Sequence, residues 1–99
     1  MPRFGNDGTR DVYNGTSTKA ARRTISTTAL KTARRKLAHV VAATRLSDLA
    51  VPPAHHLEFH KEGGRYNGYH SIEVNDRYRV LFRWTDGGAM DIVIDDYHN

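Results

Sequence analysis

A change of hydrophobic period part-way along the chain constrains the fold more than any other feature. Over residues 24–46, TISTTALKTARRKLAHVVAATRL, apolar residues fall at Ile25, Ala29, Leu30, Ala33, Leu37, Val40 and Val41. Steps of three and four predict an amphipathic helix with Thr24 or Ser26 near its N-cap. Lys31, Arg34, Arg35 and Lys36 are then left largely to the other side. SDLAVPP ends the helical region, because Pro52 and Pro53 cannot extend it. From His55 the period becomes two. HHLEFH is a first short strand, and GYHSIEV and RYRVLFRW alternate on either side of Asn75-Asp76, read as a two-residue hairpin turn. TDGGA turns the chain into MDIVIDDYH, a last strand. A segment ahead of the long helix, with Thr9 or Asp11 as cap and Gly15 as stop, predicts a second, shorter helix. The expectation is an α+β domain of one or two N-terminal helices packed on a three- to four-stranded, mainly antiparallel sheet.

Alternation assigns the faces. Ile72 and Val74, then Tyr78, Val80, Phe82 and Trp84, and then Met90, Ile92 and Ile94 are expected beneath the helix. Arg77, Arg79 and Arg83, interrupted by Leu81, point the other way with Ser71 and Glu73. One side of the sheet is thus core, and the other is expected to be polar and basic.

Composition narrows the function classes. Ninety-nine residues with 38% hydrophobic side chains and three prolines suit one globular domain over 1–99. No apolar run approaches the roughly 20 residues of a membrane span, and no signal-peptide core opens the chain. Cysteine is absent, which removes disulfide and thiolate chemistry and fits a cytoplasmic setting. Net charge is +4, but its distribution says more. Eight Lys or Arg and no acid lie between Val12 and Ser47, whereas four Asp and no Lys or Arg lie from Trp84 onward. A solvated helix face is the plainer account of such a run; a polyanion as partner is the functional one.

An arginine-bearing face ending in Asp96-Tyr97-His98 suggests phosphodiester chemistry. RNA cleavage without a metal needs a base for the 2′-hydroxyl proton, an acid for the leaving 5′-oxygen, and cations around the phosphorane. His98 titrates near neutrality and suits either proton role. Asp96 suits a base or a group that orients the imidazole, and Tyr97 can stack on a nucleobase. Arg79 offers a guanidinium fork to the phosphate, or forms a surface ion pair with Glu73. Lys61 and Arg65 flank Glu62-Gly63-Gly64, a flexible turn with Tyr66 and Tyr69 nearby, either a phosphate-gripping loop or a solvated hairpin tip. His56 and His60 would lie about 13 Å apart on a strand, too far to share a metal ion. No metal or other cofactor is expected, and no nucleophile elbow, phosphate-binding loop or dinucleotide fingerprint occurs.

The stretches ARRKLAHVVAAT, PPAHHLE and GYHSIEVNDRYRVLFRWTDGGAMDIVIDDYH resemble HigB-type toxins of the RelE/ParE superfamily. The resemblance is closest over about Arg34 to His98. It implies a compact toxin that enters the ribosomal A site and cuts mRNA there, neutralised by a helix-turn-helix antitoxin of the HigA type. By position, the family's catalytic triplet falls on Asp96, Tyr97 and His98, and its central-strand arginine on Arg79. Its loop lysine and arginine fall on Lys61 and Arg65. His60 corresponds to an extra imidazole that some members carry. The loop here is two residues longer than the family's pattern, which puts the placement of Lys61 in question. Arg77, Arg83, Arg34 and Arg35 complete the expected RNA-binding set. Other superfamily members bind DNA gyrase without cutting RNA, so a gyrase inhibitor is one alternative. A lapsed toxin kept as a partner or co-repressor is another.

Overall fold

The computed structural model describes residues 3–50, 57–61 and 64–96. Its elements are α1 (Asp7–Asn14), α2 (Lys19–Thr24), a 3-10 turn (Thr27–Ala29), α3 (Leu30–Ala42), a second 3-10 turn (Leu46–Leu49), β1 (Glu58–Phe59), β2 (His70–Glu73), β3 (Tyr78–Thr85) and β4 (Gly88–Asp96). The strands pair antiparallel in the order β1-β2-β3-β4. Ahead of α1, Phe4 forms a parallel bridge to Ile92, which gives the free edge of β4 a partner. The α+β arrangement expected from the sequence is the one found.

The helical half departs from the expected outline in physically legible ways. Asn6, not Thr9 or Asp11, caps α1, its side chain accepting from the Thr9 N–H at 2.9 Å. Gly15 ends that helix in the left-handed region (φ 75°), as its position predicts. The helix expected from Thr24 or Ser26 begins as the 3-10 turn, with Ser26 at its N-cap, and continues as α3; the chain just ahead of it forms an additional short helix, α2, ended by the extended Ile25 (φ −147°, ψ 146°). The Ser26 N–H released by that break is taken by the Tyr78 hydroxyl at 3.2 Å. At the other end α3 stops at Ala42, before SDLAVPP. The Asp48 carboxylate accepts from the Thr44 and Arg45 N–H groups at 3.1 Å each, which offers the backbone a partner outside a helix. Pro52 and Pro53 lie outside the described residues.

The core gathers Val12, Ile25, Ala33, Leu37 and Val40 from the helical side with Ile72, Val80, Phe82, Ile92 and Ile94 from the sheet. Thr9 is a polar member of this interior, fully buried, and its Oγ1 accepts the Ile94 N–H at 2.9 Å. It ties α1 to the last strand with a backbone donor that would otherwise be orphaned. Gly8 allows α1 to approach α2: a Cβ there would collide with the Thr24 hydroxyl and lie 2.9 Å from the Ala20 carbonyl. Lys36, expected on the outer side of the long helix, is instead buried in α3. Burial holds its ammonium pKa below the ordinary value; Arg35 adds to the shift and Glu73 opposes it.

Asp11, buried between α1 and α2, accepts from the Thr18 hydroxyl at 2.7 Å and from Arg10 at 3.2 Å. The Thr18 hydrogen bond, opposed by burial and helped by Arg10, holds its carboxyl below the usual value. A depressed carboxylate stabilises the fold above its unfolded pKa and loses that contribution as pH falls through the lower folded pKa. The melting-temperature gap between wild type and Asp11→Asn is therefore expected to be widest near neutral pH. It should close as pH falls from about 4 toward about 2. Thermal unfolding of both proteins across that range checks this, and a gap independent of pH would contradict it.

Candidate functional site on the outward sheet face

The turn between β2 and β3 is longer than the two residues expected. It runs over residues 74–77, closed by Asn75, whose Oδ1 accepts from the Arg77 and Tyr78 N–H groups at 2.9 Å. Tyr78, Val80, Phe82 and Trp84 nevertheless face the helices as alternation requires. The last strand does not keep a single register. Leu81 pairs with Val93 but Arg83 with Met90, so between them one residue of β3, Phe82, faces two of β4, Asp91 and Ile92. Asp91 absorbs the extra residue at φ 53°, a bulge in the left-handed region that aspartate tolerates. The bulge turns Met90 away from the core face, where alternation placed it, and Ala89 takes the core position opposite Trp84.

The outward face is less open than the sequence suggests. Ser71 and Leu81 are fully buried and Val93 nearly so, although Leu81 and Val93 stand apart from the main core cluster. Segment 64–69 carries its aromatics to this side. Arg83 stands over the Tyr69 ring at 5.9 Å and Arg65 over Tyr66 at the same distance, and Tyr66 packs edge-on to Tyr69. The Tyr66 phenol has its pKa raised, chiefly by burial and then by the negative charge of Asp95.

Arg79 sits on the central strand between Glu73 and Asp95, its partners on either side. Its guanidinium pairs with Glu58 at 2.9 Å, across β2, so the surface ion pair expected with Glu73 forms with a different acid. His60 lies just beyond β1, and its Nε2 meets the Ser71 hydroxyl at 2.8 Å. That fixes the ring over the face that Arg79 occupies. The sequence marks Ser71 only as an outward position; the histidine that it orients is eleven residues away. His70, on the opposite side of β2, stacks on Phe82 with ring centroids 5.9 Å apart. Its imidazole pKa is lowered, first by burial and then by His60, which favours the neutral ring.

The expected adjacency of Asp96 and Arg79 is not what the register gives. Asp96 pairs with Tyr78, and its Oδ2 accepts from Arg77 Nε at 3.0 Å and Nη2 at 2.9 Å. Arg77 is therefore the cation at the end of β4, and Asp95 is the acid beside Arg79. Tyr97 and His98 lie outside the described residues, as do His55 and His56. Lys61 and Arg65 are exposed on the connection between β1 and β2, with Arg83 exposed on β3. Arg34 and Arg35 belong to α3, in the layer on the other side of the sheet, and are not brought together with Arg79. Among the described residues no cluster of three His, Asp or Glu is arranged to hold a metal ion.

A helical layer on a four-stranded antiparallel sheet, with arginines, an oriented imidazole and carboxylates gathered on the outward face, is the RelE-like α+β form. The chain belongs to the HigB-like toxins, the RelE-like toxins HigB of type II toxin-antitoxin systems, whose family model matches residues 3–98. It is 43% identical over 63 residues to Toxin HigB-1 of Vibrio cholerae serotype O1, a match covering 64% of each chain. It is 32% identical over 63 residues to an uncharacterized protein of Haemophilus influenzae, covering 64% of this chain and 60% of that one. The match thus spans a little under two thirds of the length of either relative. No helix among the described residues is long and apolar enough to cross a membrane.

Proposed function

We propose that this protein is the toxin of a type II toxin-antitoxin pair and acts as a ribosome-dependent mRNA endonuclease, cutting mRNA in the A site without a metal. A helix-turn-helix antitoxin of the HigA type would neutralise it in the cytoplasm. The observation that carries this reading is the convergence of Arg79 and the Ser71-oriented His60 on one sheet face, with Asp95 paired to Arg79 and Asp96 next along β4.

In the proposed reaction a base, Asp96 or an imidazole, takes the 2′-hydroxyl proton. The 2′-oxygen attacks phosphorus, and the 5′-oxygen leaves with a proton from an acid, for which His98 is the candidate. A 2′,3′-cyclic phosphate and a 5′-hydroxyl result. Arg79 would stabilise the charge that grows on the phosphorane. Tyr97 would stack on a base, and Lys61, Arg65, Arg77 and Arg83 would hold the RNA backbone. The Glu58–Arg79 and Asp96–Arg77 pairs make the need for a ribosome intelligible. Off the ribosome these guanidiniums are held by carboxylates, and an RNA phosphate must displace them.

The test is 5′-end mapping of a reporter mRNA, with and without purified ribosomes, using wild type and His98→Ala. Ribosome-dependent cleavage within A-site codons that falls at least about tenfold in the variant is expected, the scale of a lost acid or base. Equal cutting of naked RNA would remove the ribosome from the account. Intact mRNA together with arrested growth would point to gyrase, which a supercoiling assay then examines.

A further inference from the structure

The helical layer holds a feature for which the cleavage chemistry has no use. Between α1, α2 and the start of α3 lies an open cleft. Its floor is apolar, formed by Val12, Ala21, Ile25 and Leu30, and Arg22 and Arg34 stand at its rim. Leu30 is one of two large apolar side chains exposed among the described residues. The Arg34 guanidinium is placed where Gly15 has no side chain, since a Cβ there would lie 2.8 Å from Nη2. Asp11, the acid of the lining, is already engaged by Thr18 and Arg10. It therefore leaves the rim cationic, within a stretch of eight Lys or Arg and no acid.

We infer that this cleft is the docking site of an acidic amphipathic segment of the antitoxin. Apolar side chains would occupy the floor, and carboxylates would pair with Arg22 and Arg34. An RNA backbone would satisfy the two guanidiniums but leave the apolar floor uncovered. A segment carrying both leucine-like and carboxylate side chains satisfies both. Such a site lies on the helix layer, across the core from Arg79. An antitoxin docked there leaves the outward face to be covered by other parts of the same partner. The identity of the partner rests on the function proposed above; the chemistry of the cleft does not.

The test uses the full chain with purified antitoxin, comparing wild type with the double variant Arg22→Glu/Arg34→Glu. Both arginines are exposed. The variant should keep its melting temperature. Its affinity for the antitoxin should fall at least about thirtyfold, and it should lose the salt dependence seen with wild type. Leu30→Asn, which changes the floor alone, should weaken the complex without altering the charge of the rim; it decides the matter if the double variant misfolds. Unchanged antitoxin affinity in both variants would overturn the inference. So would retained antitoxin binding with lost ribosome association, which would make the cleft an RNA surface. If wild-type protein proves unable to cut mRNA, the nuclease reading fails, while the binding measurement still judges the cleft.

Discussion

Replacing Arg79 with alanine is expected to lower ribosome-dependent cleavage about 10²–10³-fold while leaving the fold intact. The side chain leaves a central strand whose register with both neighbours is fixed at this point, opposite Glu73 on one side and Asp95 on the other. A guanidinium so placed is held in position before any RNA arrives, as the proposed role requires. Its partner Glu58 is half exposed, so losing the ion pair leaves that carboxylate in water and costs little stability. Arg79→Lys keeps a charge without the planar fork and should recover part of the rate. Glu58→Gln separates catalysis from mere ion pairing. If Arg79 serves the phosphate, removing its resident carboxylate leaves cleavage unchanged or faster. Single-turnover cleavage on ribosomes and melting temperatures for all three variants make the comparison. Equal rate losses in Arg79→Ala and Glu58→Gln would show that the pair, rather than the arginine, is what matters.

Much of the sheet could be read from the sequence because its signals are short-ranged. The alternation through RYRVLFRW placed Tyr78, Val80, Phe82 and Trp84 toward the helices, where they are found. Gly15 marked a helix end because a left-handed residue is needed there. The misreadings share a different cause. A period of two extended through MDIVID places Met90 on the core side, but one extra residue at Asp91 reverses everything N-terminal to it. Lys36 reads as surface on charge alone, whereas the helix period places it beside Leu37 on the buried side. The extended Ile25 leaves the Ser26 N–H to the Tyr78 hydroxyl, 52 residues away, and no local pattern announces that partner.

The site shows the same division. Arg79 and the acidic end of β4 were legible from the alternation and the resemblance. Which acid meets which arginine was not, because pairing depends on register: Asp96 goes to Arg77, and Glu58 crosses β2 to reach Arg79. The serine that orients His60 was visible as a residue but not as a partner. A hydroxyl buried on an otherwise polar face carries no sequence mark.

Phe82→Ala is expected to cost about 3–5 kcal/mol, a large share of the roughly 5–15 kcal/mol that holds a small domain together. Phe82 is the largest of the fully buried side chains among the described residues. It stacks on His70 at 5.9 Å and meets Trp84 edge-on at 6.5 Å, so its removal empties the centre of the helix-facing sheet. Phe59 gives the internal control. Its ring lies closer to His70, at 4.7 Å, but is 51% exposed. If burial is the source of the stabilisation, Phe59→Ala should shift stability by no more than about 0.5 kcal/mol. Phe82→Leu, which keeps most of the apolar volume, should cost less than about 1.5 kcal/mol. Urea unfolding with a common m-value measures all three. Similar losses for Phe59→Ala and Phe82→Ala would mean that contact with the His70 ring, and not the removal of apolar surface from water, holds this part of the sheet. The order Phe82→Ala, Phe82→Leu, Phe59→Ala instead identifies the helix-facing core as what fixes β3, and with it the direction in which Arg79 points.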